Sequence, residues 1–268
     1  MPHLTANGRQ IAYTEVGSGS ETVVFSHGYL MSGRMFDHQI AALKDRYRVI
    51  AFDHRGHGDS PTCQDPFTLY DLVDDATALI NALADGPVHF AGMSTGGFVG
   101  MRIALRRPEL IRSLTLIDTA AGAEDPSALK QYNQLLFVVR WFGTRVVLGK
   151  VLPILMGPTF LSDPARADEV TTWRHRIAAL DKRSLYRFGK AIFGRDDVLP
   201  ALAALDSPPP TQIIVGADDV ATPVAKSKAM HEAIKGSSLC VILDAGHTSP
   251  VEQPEAVTAA MERFLAEL

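Results

Sequence analysis

The chain has 268 residues, 46% of them hydrophobic, with 26 Lys and Arg against 30 Asp and Glu for a net charge of −4. High apolar content with little net charge excludes a disordered chain. The lack of a basic run argues against a nucleic-acid or anionic-membrane partner. Two cysteines, Cys63 and Cys240, cannot build a disulfide framework, and neither is marked as reactive by its surroundings.

The first residues lack a cationic head followed by an apolar run, so no secretory signal is expected and a cytoplasmic setting is. His3–Ala6 and Arg9–Val16 flank Asn7-Gly8, a strong signal for an antiparallel hairpin. Short apolar runs then alternate with helical segments. The predicted strands are Thr22–Ser26, Arg48–Phe52, Val88–Ala91, Ser113–Ile117, Gln212–Val215 and Leu239–Leu243. The predicted helices cover Phe36–Lys44, Leu69–Leu83, Phe98–Arg106, Val224–Ile234 and Glu255–Leu268. Strands buried on both faces and joined by helices specify a doubly wound, mostly parallel sheet, with the hairpin at one edge.

The alternation stops between Ile117 and Gln212, a stretch too long for a plain connection. A helical insertion is expected over residues 123–198, leaving 1–122 and 199–268 as the core domain. Within it, Leu135–Met156 has the length of a membrane span. Arg140, Arg145 and Lys150 would each cost roughly 2.5–3.5 kcal/mol at mid-bilayer, so amphipathic helices are expected instead.

Open parallel sheets carry their ligands beyond the carboxyl ends of the strands. There the sequence puts His27-Gly28, Asp53, Ser94, Asp118, Asp219 and His247, all on one rim. Gly92-Met93-Ser94-Thr95-Gly96 is a G-x-S-x-G between a strand and a helix, a turn that lifts its serine above the sheet. A serine hydroxyl needs a base, and His247 on the last strand-to-helix loop suits that role. A carboxylate must orient the imidazole. Asp219 is preferred to its neighbour Asp218, and Asp118 ranks third, as a loop or helix-capping residue. Two backbone donors, Tyr29 N–H and Thr95 N–H, would receive an oxyanion. The polar run from Asp53 to Ser60 reads as scaffolding in preference to a dinuclear metal site, and no metal ligands are assigned.

These residues resemble the α/β-hydrolase superfamily with an inserted lid. The resemblance rests on His27-Gly28, Asp53-x-Arg55-Gly56-His57-Gly58-x-Ser60, Gly92-x-Ser94-x-Gly96-Gly97, Gly216-x-x-Asp219 with Pro223, and Gly246-His247 before Glu252-Gln253-Pro254. It implies an eight-stranded sheet and the triad Ser94–Asp219–His247, with the spacing from Gly216 to Pro223 favouring Asp219. The branch resembled contains enol-lactone hydrolases, small carboxylesterases and cofactor-free haloperoxidases. Related dehalogenases and epoxide hydrolases use an aspartate where this chain has Ser94.

A cofactor-free esterase or lactonase acting on a small molecule is therefore expected. Perhydrolysis with the same triad, or a ligand-binding receptor on the same scaffold, is the alternative. Met93, Phe137, Trp141, Trp173 and Val220 are the expected pocket residues, with Phe142 a further candidate, and medium-sized apolar acyl groups are the expected cargo. The oligomeric state is not encoded in any recognisable motif.

Overall fold

A run such as Thr22–Ser26, with every residue buried, can satisfy its backbone only between two other strands. In the computed structural model, which describes residues 1–268, it lies in the middle of an eight-stranded sheet. The strands are β1 (His3–Ala6), β2 (Arg9–Val16), β3 (Thr22–Ser26), β4 (Arg48–Phe52), β5 (Val88–Met93), β6 (Ile111–Ile117), β7 (Thr211–Gly216) and β8 (Ser238–Ile242). Their order is β1-β2-β4-β3-β5-β6-β7-β8. β1, β2 and β4 pair antiparallel, and every pair from β4 to β8 is parallel. Asn7 and Gly8 both take positive φ, 49° and 71°, which gives the β1–β2 turn the twist its strands need.

Side chains alternate across the sheet and divide the core in two. Val23, Phe25, Val49 and Ala51 face one side, and Val24, Ile50 and Phe52 face the other. The first side is covered by α1 (Asp37–Leu43) and α12 (Pro254–Ala266) through Leu43, Val257 and Met261. The second is covered by α2 (Leu69–Leu83), α3 (Thr95–Arg106) and α10 (Val224–Ala233) through Leu72, Leu79, Val99, Ile103 and Met230. This is the doubly wound α/β architecture read from the sequence.

α3 starts at Thr95, three residues earlier than the predicted Phe98. The lack of a side chain at Gly96 and Gly97, the second and third residues of α3, is a packing requirement. A Cβ on Gly96 would fall on the Ser26 carbonyl, and one on Gly97 would meet the Thr119 side chain at 2.5 Å. Helix propensity loses here to close approach.

Between β6 and β7 lie α4 (Pro126–Phe142), α5 (Leu148–Leu155), α6 (Pro158–Ser162), α7 (Ala167–Ala179), α8 (Lys182–Phe193) and α9 (Leu199–Ala203). The apolar run from Leu135 to Met156 is broken at Gly143, where φ is 82°, into the end of α4 and all of α5. No helix is long and apolar enough to cross a membrane. Helices α4 to α8, here termed the cap, are inserted between β6 and β7, and residues of α4, α5 and α8 approach Ser94 and His247 at the carboxyl ends of the strands. The short helix α11 (Ser249–Glu252) leads into α12.

Candidate active site

The strand-to-helix turn at Ser94 is forced by its neighbours. Ser94 takes φ 50° and ψ −110°, a region costing a non-glycine residue on the order of 1–3 kcal/mol. The surroundings hold it there: Ser94 N–H donates to Ile117 O at 2.9 Å, and Thr119 Oγ1 donates to Ser94 O at 2.8 Å. Gly92 is obligatory because a Cβ would strike the Gly96 backbone. The hydroxyl is thereby presented above the sheet, with only 8% of the residue exposed.

His247 Nε2 lies 3.0 Å from Ser94 Oγ, and its Nδ1 lies 2.9 and 3.0 Å from the Asp219 oxygens. With Nδ1–H donated to Asp219, Nε2 is left to accept the Ser94 proton. Asp219 also accepts from Thr222 N at 2.8 Å and Thr222 Oγ1 at 2.7 Å. Burial alone would raise the Asp219 pKa, but the His247 charge and these donors outweigh it and hold it below the usual carboxylate value. Burial would likewise lower the His247 pKa; Asp219 above all, with Asp118 and Glu252, reverses that and raises it. Asp218 is exposed and points elsewhere, so the choice between these neighbours is decided by the turn at 216–222.

Asp118 follows β6 in a bend and accepts from the first residue of α11, in keeping with the sequence reading of a loop or helix-capping residue. It is fully buried, at φ 44°, and joins β6, β7 and α11. It accepts from Gly216 N at 2.8 Å, Ser249 N at 2.9 Å and Ser249 Oγ at 2.7 Å. Burial, and then the neighbouring Asp219, push its pKa up to about 7. The position after a strand was visible in the sequence; the buried partners, which come from distant segments, were not.

Glu252 is a second buried carboxylate whose work is structural. Its Oε2 accepts from Gly246 N and Gly157 N, both at 2.8 Å. Its Oε1 accepts from Thr248 N at 3.0 Å and Thr248 Oγ1 at 2.8 Å. One side chain thus fixes both shoulders of His247 and ties them to the start of α6. Here the cap and the His247 loop meet backbone to backbone, so that a Cβ on Gly157 would lie 2.8 Å from Gly246 N.

Opposite Ser94 runs the loop His27-Gly28-Tyr29-Leu30. A Cβ on Gly28 would lie 3.1 Å from Ser94 Cβ, so only glycine lets the loop come this close. Three buried histidines hold it. His27 Nε2 accepts from His54 N at 2.9 Å, which leaves Nδ1–H to donate to Gly28 O at 2.7 Å. His57 Nε2 accepts from Leu30 N at 3.2 Å, and His54 Nε2 meets Ser26 Oγ at 3.0 Å. Burial lowers all three pKa values, to about 4 for His27 and about 3 for His57, so the rings are neutral. Asp53 takes Gly33 N and Asp59 N. The polar run from Asp53 to Ser60 is scaffolding for this loop. No group of three or more His, Cys, Asp or Glu is placed to hold a metal ion. Tyr29 N–H has no acceptor within the protein, and Thr95 N–H is among the free donors at the start of α3.

A cavity opens beside Ser94 and His247, and 14 of its 20 lining residues are hydrophobic. Its wall on α4 is Tyr132, Leu135, Leu136 and Val139, one helical face; Val147, Val151, Ile154 and Leu155 continue it. None of the five expected pocket residues lines it. Phe137 and Trp141 lie on the opposite face of α4, 62% and 59% exposed, and Phe142 at the helix end is 70% exposed. Trp173 is buried, 3% exposed, in the same apolar cluster as one face of the sheet, with Arg176 4.7 Å from its ring. Met93 lies under Gly28, where a Cβ would meet its Sδ at 2.5 Å, and Val220 points outward at 64% exposure. Adjacency to a functional residue, or aromatic character, does not report which way a side chain points. The period of α4 does.

The polar part of the lining was missed. Arg195 is buried, donates from Nε to Gly122 O at 3.1 Å, and pairs through Nη1 with Glu124 at 3.0 Å. Lys226 holds the other Glu124 oxygen at 3.1 Å, and Arg195 Nη2 has no partner. Tyr132 completes this side, its pKa pushed up to about 12 by burial.

Known proteins resemble the chain over nearly its whole length. A profile of the alpha/beta hydrolase fold matches residues 21–254. A 3-oxoadipate enol-lactonase of Acinetobacter baylyi is 31% identical over 97% of this chain and 96% of its own. A Mycobacterium tuberculosis protein named as a non-heme bromoperoxidase is 29% identical over 96% and 97%. An esterase structure from Thermogutta terrifontis superposes with a TM-score of 0.90 at 28% identity, covering 99% of this chain and 98% of that one. The chain belongs to the α/β-hydrolase family, with enol-lactonases and esterases among its relatives.

Proposed function

We propose that the chain is a serine hydrolase that cleaves a carboxylic ester or lactone through an acyl-enzyme on Ser94. The observation that carries this reading is the continuous path from Ser94 Oγ to His247 Nε2, 3.0 Å, and from His247 Nδ1 to Asp219, 2.9 Å. His247 takes the Ser94 proton as Oγ attacks the carbonyl carbon. The negative oxygen is received by Tyr29 N–H and Thr95 N–H, and the imidazolium is stabilised by Asp219. Collapse expels the alcohol, which takes the proton from His247. Water, deprotonated by the same imidazole, then releases the acid and frees Ser94. No cofactor takes part. Residues 123–198 act as the cap that shapes the acyl pocket, and its apolar lining suits neutral acyl chains.

The test is a panel of methyl and 4-nitrophenyl esters and of lactones with graded chain lengths. Ser94→Ala should lower kcat/KM by at least about a thousandfold across the panel with an unchanged circular dichroism spectrum. Unchanged turnover would refute the reading. The relative named as a bromoperoxidase supports a second reading, perhydrolysis. Acetate, peroxide and bromide supplied together would give brominated dye if peroxide outcompetes water on the acyl-enzyme, and none if it does not.

A further inference from the structure

The outer surface of the cap differs in charge from the rest of the molecule. Residues 126–193 contain eleven Lys and Arg against four Asp and Glu, a net of +7, while the remainder of the chain carries −11. Five of these cations, Arg140, Lys182, Arg183, Arg187 and Lys190, line three adjoining clefts on the outside of α4 and α8. Their contacts are not carboxylates. Lys182 donates to Trp141 O at 3.0 Å, Arg187 to Cys63 O at 3.1 Å and Lys190 to Asn133 Oδ1 at 3.3 Å, while Arg140 lies 4.6 Å from the Tyr186 ring. Lys182 and Arg183 moreover occupy the first turn of α8, where the helix dipole disfavours cations. Local folding preference does not account for them.

The same surface carries exposed apolar groups. Of ten exposed large hydrophobic residues in the chain, four fall between 137 and 146: Phe137, Trp141, Phe142 and Val146, each 59% exposed or more. Apolar side chains rimmed by uncompensated cations are the composition of a face that rests on an anionic bilayer, the chains entering the headgroup region and the cations meeting phosphates. Cations alone would serve a nucleic acid equally, but the exposed Phe137 and Trp141 that line the same clefts favour lipid. The opposite face of α4 lines the apolar cavity at Ser94, and Leu136 borders both that cavity and the outer cleft.

We propose that the outer face of α4 and the start of α8 form a docking surface for anionic lipid membranes, which places the Ser94 cavity one helix away from the bilayer. Such docking differs from the expectation of no membrane partner drawn from the overall charge. Docking does not depend on the chemistry assigned to Ser94, so Ser94→Ala protein serves for the binding measurements.

The test is sedimentation with phosphatidylcholine vesicles, with and without phosphatidylglycerol. Binding should require phosphatidylglycerol, disappear at about 0.5 M salt, and weaken at least about tenfold in Lys182→Glu/Arg183→Glu. Both positions are exposed, and acids suit a helix start, so the variant should fold and hydrolyse a short water-soluble ester as the parent does. Trp141 is a built-in reporter: its emission should shift to the blue on these vesicles, and Trp141→Phe should lose the shift while buried Trp173 stays silent. Equal binding to both vesicle types, no binding to either, or no weakening in the double variant would overturn the proposal. So would tighter binding to single-stranded DNA than to the vesicles.

Discussion

The sheet and the cap obey different constraints. At the rim of the sheet most side chains near Ser94 are committed: Asp118 and Glu252 each hold backbone from two segments, Asp219 holds Thr222 and His247, and the three histidines tie the 26–30 loop to residues 54–57. The cap's α4, by contrast, offers one face to a cavity and the other to solvent, and much of what it exposes has no partner within the protein. Under the proposed mechanism, changes at the rim should cost chemistry, whereas changes in the cap should shift what reaches it.

Substitutions at the two places should separate accordingly. The largest effect is expected at Asp219→Asn, which leaves the geometry but removes the charge and turns one of the two oxygens facing Nδ1 into an NH2 donor; kcat should fall on the order of ten-thousandfold for every substrate. The pH profile sharpens the point. His247 must be neutral to act, and its pKa is raised, so kcat/KM should be lost as pH falls through a value above the ordinary histidine range. The residual activity of Asp219→Asn should have that inflection at lower pH; an unmoved inflection would show that another group titrates.

Glu252→Gln comes next. Its amide would face N–H groups that now meet a carboxylate, costing about 1–3 kcal/mol. A Tm lower by about 2–4 °C per kcal/mol is expected, with kcat reduced and KM little changed. Val151→Trp, on the cavity wall, should leave acetyl esters within a few-fold and depress longer acyl chains most. A uniform loss across chain lengths would place Val151 with the rim after all. Least is expected from Phe137→Ser, within about 0.5 kcal/mol in stability, because the side chain is already in water.

The sheet was legible in the sequence because its strands are buried on both faces and its turns need particular residues. Every predicted strand is present, and the Ser94 elbow shows in its glycines because backbone-to-backbone contact leaves no alternative. The start of α3 was misplaced for the same reason, since a glycine required by packing looks like one that ends a helix. The cap was legible only as helical. Its aromatic residues drew attention from the i, i+3, i+4, i+7 row of Tyr132, Leu135, Leu136 and Val139 that lines the cavity. A net charge of −4 likewise concealed opposite charges on two regions.

The joint at Gly157 and Gly246 has a consequence for how such a chain can diverge. One carboxylate, Glu252, serves both the cap's anchor and the histidine loop, so a change that reshapes the pocket from that edge is inherited by the proton transfer as well. Drift toward new substrates is therefore channelled to the α4 wall. That wall can be rewritten residue by residue while the reaction it feeds stays the same.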